Sequence, residues 1–176
     1  EYTRRVHAQK PFRPGDKIQY AGRVFGPEEV ANLVDASLDA YLTLGKHGKE
    51  FERKFKEYTG LRSIVLANSG SSANLMALSA LTSQRLGDAR LRPGQEVLTC
   101  ATGFHTTVDP IIQNGLVPAF VDVELGTYNA NISQLESMIK ENTGAIMLAH
   151  TLGNPFDLDK VSTLAKKHGL YLIEDC

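Results

Sequence analysis

Four short clusters in this 176-residue sequence have the residue types and spacing to act on a small ligand. The first is Asn68-Ser-Gly-Ser-Ser72, directly in front of a helical run. Gly70 allows close approach of the backbone. Ser71 and Ser72 would present amides and hydroxyls at a helix N-terminus, where a phosphate is favoured. The same residues also suit a tight turn with a plain Ser N-cap, so both readings stand. Neither G-x-G-x-x-G nor Gly-Lys-Ser/Thr is present, which argues against a dinucleotide fold or an NTPase.

The second cluster, Thr102-Gly-Phe-His105, puts Phe104 at a strand exit, where an aromatic ring stacks on a flat ligand or turns into the core. The third is His150-Thr-Leu-Gly-Asn154. His150 could serve as a base, as a donor to substrate, or as a satisfied buried imidazole. The fourth is Asp175, at the end of the apolar run Tyr171-Leu-Ile-Glu174. A carboxylate there must be paired, because burying it alone is costly. It could cap a following helix, or pair with a pyridinium nitrogen and keep a PLP ring an electron sink. Cys100, His105 and His150 lack metal-ligand spacing, so no metal is assigned within this chain.

These clusters need a scaffold that brings them to one edge. Short apolar runs alternate with helical ones. Strands are expected at 63–67, 96–100, 118–123, 145–149 and 171–174, and helices at 71–86, 106–114, 133–140 and 157–168. Ser133 and Glu136 have the spacing of a capping box. Near-continuous apolar strands are buried on both faces, as in a mainly parallel sheet, and the alternation means an α/β three-layer α-β-α sandwich. Ligands of such sheets bind beyond the carboxyl ends of the strands, where all four clusters fall.

Ahead of the sheet, Pro27-Glu-Glu29 opens a helix with Val30, Leu33, Val34, Leu38 and Tyr41 at helical spacing. A turn at Gly45–Gly48 leads to a second helix, 49–59, striped by Phe51, Phe55 and Tyr58 and ended by Gly60. Residues 1–26 carry six Lys/Arg against two acids and read as an extended basic arm. Residues 27–176 read as the N-terminal part of a large domain whose C-terminal part is missing. The sequence lacks an initiator Met and stops on a buried strand, which suggests a longer protein.

Composition narrows the function classes. Apolar residues make up 42%, charged residues 22%, and the net charge is −1. A non-specific nucleic-acid binder shows an excess of positive charge, absent here. No apolar run reaches membrane-spanning length. Two cysteines make no disulfide framework, and a cytoplasmic protein is expected.

Taken together, the motifs resemble the DegT/DnrJ/EryC1/StrS family of PLP-dependent, nucleotide-sugar-modifying enzymes, from about Gly22 to Cys176. Gly48-Lys-Glu-Phe-Glu52, Ser69-Gly-Ser-Ser-Ala73, Thr102-Gly-Phe-His-Thr-Thr107, Phe120-Val-Asp-Val123, Thr127-Tyr-Asn129, His150-Thr-Leu-Gly-Asn-Pro155 and Ile173-Glu-Asp175 carry the likeness. It implies the large domain of a fold-type I PLP-dependent transferase. Gly70, Ser71 and Ser72 would hold the cofactor phosphate, Phe104 would stack on its ring, and Asp175 would meet the pyridinium nitrogen. None of the lysines after residue 27 lies at a strand exit, so the Lys or His at the anchor position falls beyond Cys176.

The long link 81–94 and the Cys after Asp175 are similar to the subgroup of CDP-4-keto-6-deoxy-D-glucose-3-dehydrases, which make 3,6-dideoxyhexoses for O-antigen. That likeness implies a CDP-sugar substrate, PMP, a 2Fe–2S cluster with a separate reductase, and a homodimer. A PLP-dependent sugar aminotransferase and a non-catalytic α/β binding domain are the alternatives.

Overall fold

A computed structural model describes residues 1–7, 11–18 and 24–176. Lys10 and Gly22, part of the basic arm, lie outside the described residues. The chain forms two compact units, Glu1–Leu66 and Ala67–Cys176.

The first unit is helical. A short helix α1 (Tyr2–Val6) precedes α2 (Pro27–Leu38) and α3 (Lys46–Thr59). Pro27 occupies the first turn of α2, where a missing N–H costs nothing. Helix α3 starts three residues earlier than expected, so Gly48 lies inside its first turn rather than in a preceding loop. Gly60 ends it in the left-handed conformation, φ 69°. Phe51 and Phe55 stack at 5.3 Å on one stripe of α3.

The second unit is built on four parallel strands: β1 (Glu96–Cys100), β2 (Val117–Val121), β3 (Thr143–Ala149) and β4 (Tyr171–Asp175), in the order β2-β1-β3-β4. Helix α4 (Gly70–Leu81) precedes β1, and α5 (Asp109–Gln113), α6 (Ile132–Ser137) and α7 (Leu158–His168) connect the strands. The period-2 alternation of the strands sorts the core into two clusters, one on each face. Val97, Ala145 and Met147 pack with Leu78 of α4 and Ile111 of α5. Leu98, Ile146 and Leu148 pack with Leu135 of α6 and Val161, Leu164 and Ala165 of α7. Hence the three layers: α4 and α5, the sheet, α6 and α7. At Gly144 of β3 an added Cβ would come within 2.5 Å of a Leu91 methyl, so any larger residue there would make that side chain shift.

Several expected elements change. Ser63–Ala67 is not a strand. Its composition suits one, but a strand exists through a ladder, and among the described residues no neighbour pairs with it. The helix expected over 71–86 stops at Leu81, and Gln84–Ala89 forms a separate 3-10 segment around Gly87, φ 57°. In place of a helix over 106–114, a 3-10 turn at His105–Thr107 precedes the shorter α5. Helix α6 ends at Ser137, and its cap is Asn131, whose Oδ1 accepts from the Ser133 and Gln134 amides, instead of a Ser133–Glu136 box. Asp157 is the cap of α7 rather than its first residue, accepting from the Lys160 amide.

Candidate cofactor site

The first half of α4, the 3-10 turn at His105–Thr107 and the end of β4 meet at the carboxyl edge of the sheet. Alternation along β4 sends Ile173 and Asp175 to the face of α4, and Leu172 and Glu174 to the face of α6 and α7.

On the α4 face, Asp175 is half-buried. Its Oδ2 accepts a hydrogen bond from Asn74 Nδ2 at 2.8 Å and another from the Thr107 hydroxyl. Asn74 and Thr107 are buried, at 7% and 5% exposure. Asn74 Nδ2 also donates to the Thr106 carbonyl at 3.3 Å. Asn74 is four residues after Gly70 and three after Ser71, on the same side of α4. The bond to Asp175 therefore brings the first turn of α4 to the carboxylate.

That first turn is only partly satisfied. The N-cap Ser69 accepts from the Ser72 amide at 3.1 Å, and the Ala73 amide bonds back to the Ser69 carbonyl at 3.0 Å. The Gly70 and Ser71 amides have no protein acceptor among the described residues. A Cβ built on Gly70 meets nothing within 4 Å, so the space in front of the turn is open. Two free amides, two serine hydroxyls and a helix dipole make a phosphate-sized donor set. With Asp175 one helical turn away, this edge offers donors for an anion and a carboxylate for a cationic N–H. That is the complement of a pyridine ring carrying a phosphate ester, so the residues present fit PLP or PMP.

Phe104 leads into the His105–Thr107 turn and is 67% exposed, its ring 4.6 Å from His105. His105 itself pairs with Asp109 at 2.6 Å. His150 is not brought to the Asp175 cluster. Its Nε2 lies 3.1 Å from Glu174, its Nδ1 accepts from the Phe156 amide at 3.3 Å, and its ring stacks on Phe156 at 4.2 Å. Both ring nitrogens are engaged inside the chain, and a substrate contact has to displace one of them.

Sequence reasoning missed Asn74 and Thr107. A signal for the first existed: a lone amide in the apolar helix Ala73-Asn-Leu-Met-Ala-Leu78 needs a buried partner. Burial pushes the Cys100 thiol up to about 11, helped by Asp122. The described residues hold no group of three or more His, Cys, Asp or Glu suited to a metal, and no helix long and apolar enough to cross a membrane.

A model of the DegT/DnrJ/EryC1/StrS aminotransferase family matches residues 25–176. The chain is 52% identical over 170 residues to a dTDP-4-dehydro-2,6-dideoxy-D-glucose 3-dehydratase of Saccharopolyspora spinosa, covering 97% of this chain and 36% of that protein. It is 49% identical over 177 residues to the lipopolysaccharide biosynthesis protein RfbH of Salmonella typhimurium, covering 100% of this chain and 40% of that protein. A solved E. coli GDP-4-keto-6-deoxy-D-mannose-3-dehydratase with bound hydrated PLP superposes with a TM-score of 0.79 at 30% identity, over 89% of this chain and 40% of that one. The chain thus spans about two-fifths of the length of the proteins it matches.

Proposed function

Because this chain belongs to the DegT/DnrJ/EryC1/StrS aminotransferase family, we propose that the intact protein is a PLP- or PMP-dependent nucleotide-sugar-modifying enzyme. Its reaction, on this reading, is loss of the C3 hydroxyl from a nucleotide-linked 4-keto-6-deoxyhexose. The observation that carries the proposal is the meeting of Asp175 with the open first turn of α4 through Asn74. The 3-dehydratase names of the relatives at 52% and 49% identity support the choice of reaction.

Each residue has a task. The Gly70 and Ser71 amides and the Ser71 and Ser72 hydroxyls bind the phosphate and fix the cofactor's position. Phe104, exposed at the strand exit, would stack on the ring of the bound cofactor. Asp175 holds the proton on the ring nitrogen. The cofactor, when bound, supplies the amino group that meets the sugar ketone and the ring that takes up electron density.

Further parts of the reading rest on the family likeness: a CDP-sugar from the 3,6-dideoxyhexose route to O-antigen, a 2Fe–2S cluster with a separate reductase, and a homodimer; a cytoplasmic location rests on the two cysteines, and residues 1–26 as an arm on their basic charge. The test is to load the intact protein with PMP and offer CDP- and dTDP-4-keto-6-deoxyglucose in turn. Loss of the C3 hydroxyl is expected. Transfer of the amino group with the hydroxyl retained would make the protein an aminotransferase, and cofactor binding without either reaction would make it a binding domain.

A further inference from the structure

We infer that Asn74 and Thr107 are positioning residues for Asp175, and that Asn74 couples the three segments that would touch the cofactor. The inference rests on the reading of Asp175 as the partner of the ring nitrogen.

The geometry is specific. Both donors reach the same oxygen, Oδ2, from separate elements, α4 and the 3-10 turn that follows Phe104. Held from two directions, the carboxylate has one orientation, and Oδ1 is the oxygen left to meet a ligand N–H. Both donors are neutral, so they orient the carboxylate without cancelling its charge. A lysine or arginine in their place would neutralise the charge that the ring proton needs.

Asn74 does more than Thr107. Its amide also donates to the Thr106 carbonyl, and its helix carries Gly70, Ser71 and Ser72 one turn earlier. One side chain therefore ties together the phosphate turn, the segment behind Phe104 and the end of β4. Loss of Thr107 removes one bond to the carboxylate. Loss of Asn74 removes a bond to the carboxylate and also releases Thr106 from α4.

The test uses the intact protein loaded with ¹⁵N-labelled cofactor, reading the ring-nitrogen resonance and cofactor retention. Asp175→Asn sets the scale and is expected to move the resonance toward that of an unprotonated ring. Thr107→Val keeps the shape and removes the donor. It is expected to move the resonance partway in the same direction and weaken retention about tenfold, the size of one hydrogen bond to a charged group. Thr107→Ser is expected to restore both, and Asn74→Ala to exceed Thr107→Val in both. A wild-type resonance and wild-type retention in Thr107→Val and Asn74→Ala would overturn the inference and leave the two bonds as internal satisfaction of buried polar groups. If Thr107→Val does not fold, Thr107→Ala is read against the same wild-type values. Should Asp175→Asn leave the resonance unmoved, the assignment of Asp175 to the ring nitrogen fails, a different outcome from failure of the positioning role.

Discussion

Glu174 and Asp175 are adjacent carboxylates at the end of one strand, and they face opposite environments. Glu174, on the side of α6 and α7, has an imidazole 3.1 Å away, itself held by the Phe156 amide and ring. That side is closed on itself: the carboxylate has a partner able to carry positive charge. Asp175, on the side of α4, meets two neutral donors and, among the described residues, no salt-bridge partner. A half-buried carboxylate is costly to leave without a countercharge. Among the described residues the α4 face gives Asp175 no cationic partner, while the other face gives Glu174 the His150 ring. Chemistry of a residue type says little here; the face of the strand decides which acid is available to a ligand.

The largest expected effect comes from making the same isosteric change at both positions. Asp175→Asn in the intact protein keeps the shape and removes the charge. It is expected to lower the single-turnover rate about a thousandfold, some 4 kcal/mol in the barrier. Glu174→Gln is expected to change that rate less than about tenfold and to act on stability instead. Equal losses from the two would erase the distinction between the faces.

Next is the reactivity of Cys100, which packs into the core cluster on the closed side. Its thiol is pushed up to about 11 from 9.0, first by burial and then by Asp122. Two units mean about a hundredfold less thiolate at neutral pH, and the thiolate is the nucleophile. In a Cys176→Ser background, alkylation of Cys100 is expected to run about a hundredfold slower in the folded protein than in denaturant. The sign of the linked stability follows. Above pH 9 the unfolded chain releases a proton that the folded chain retains, so this thiol makes stability fall as pH rises from 9 toward 11.

Phe104 gives a tenfold effect. It is exposed, so Phe104→Ala is expected to change unfolding free energy by no more than about 0.5 kcal/mol. Cofactor retention is expected to fall about tenfold, the upper range of a ring-stacking contact. Unfolding loss with unchanged retention would return Phe104 to the core.

Much of the fold could be read in the sequence, because strands buried on both faces leave short apolar runs. β1 falls where expected, and β3 and β4 within two residues of it. Ser63–Ala67 shows the limit: the run reads as a buried strand, but Val65 is 67% exposed, and a strand requires a neighbour that the run itself does not encode. Helix starts shifted where a better cap stood upstream, as Asn131 does before Ser133. At the site, Asp175 could be placed at the carboxyl edge because it ends an apolar strand, whereas Gly70, Ser71 and Ser72 were expected behind a strand at 63–67 that does not form, and they reach that edge through the Asn74–Asp175 bond. Asn74 and Thr107 could not be assigned, because their bonds to Asp175 span 101 and 68 residues and exist only once α4 and the 3-10 turn are docked. The same holds for the engagement of His150 by Glu174 across 24 residues.

The smallest expected effect separates the two sides through their helix caps. Ser69 caps α4 by accepting from the Ser72 amide, and Asp157 caps α7 by accepting from the Lys160 amide, each at 3.1 Å. In cofactor-free protein, Ser69→Ala and Asp157→Ala are each expected to cost about 1 kcal/mol of stability, the usual size of a lost N-cap. With saturating cofactor the two should diverge. A phosphate in front of α4 takes the Gly70 and Ser71 amides and can also accept from the Ser72 amide that Ser69→Ala releases. The ligand then performs the task of the missing cap, and the cost of Ser69→Ala shrinks to a few tenths of a kcal/mol. Nothing comparable reaches α7, whose first turn lies on the other face of the sheet, so Asp157→Ala keeps its full cost. Denaturant unfolding of both variants, with and without cofactor, measures the difference. Equal costs under both conditions would mean that no phosphate sits at the first turn of α4.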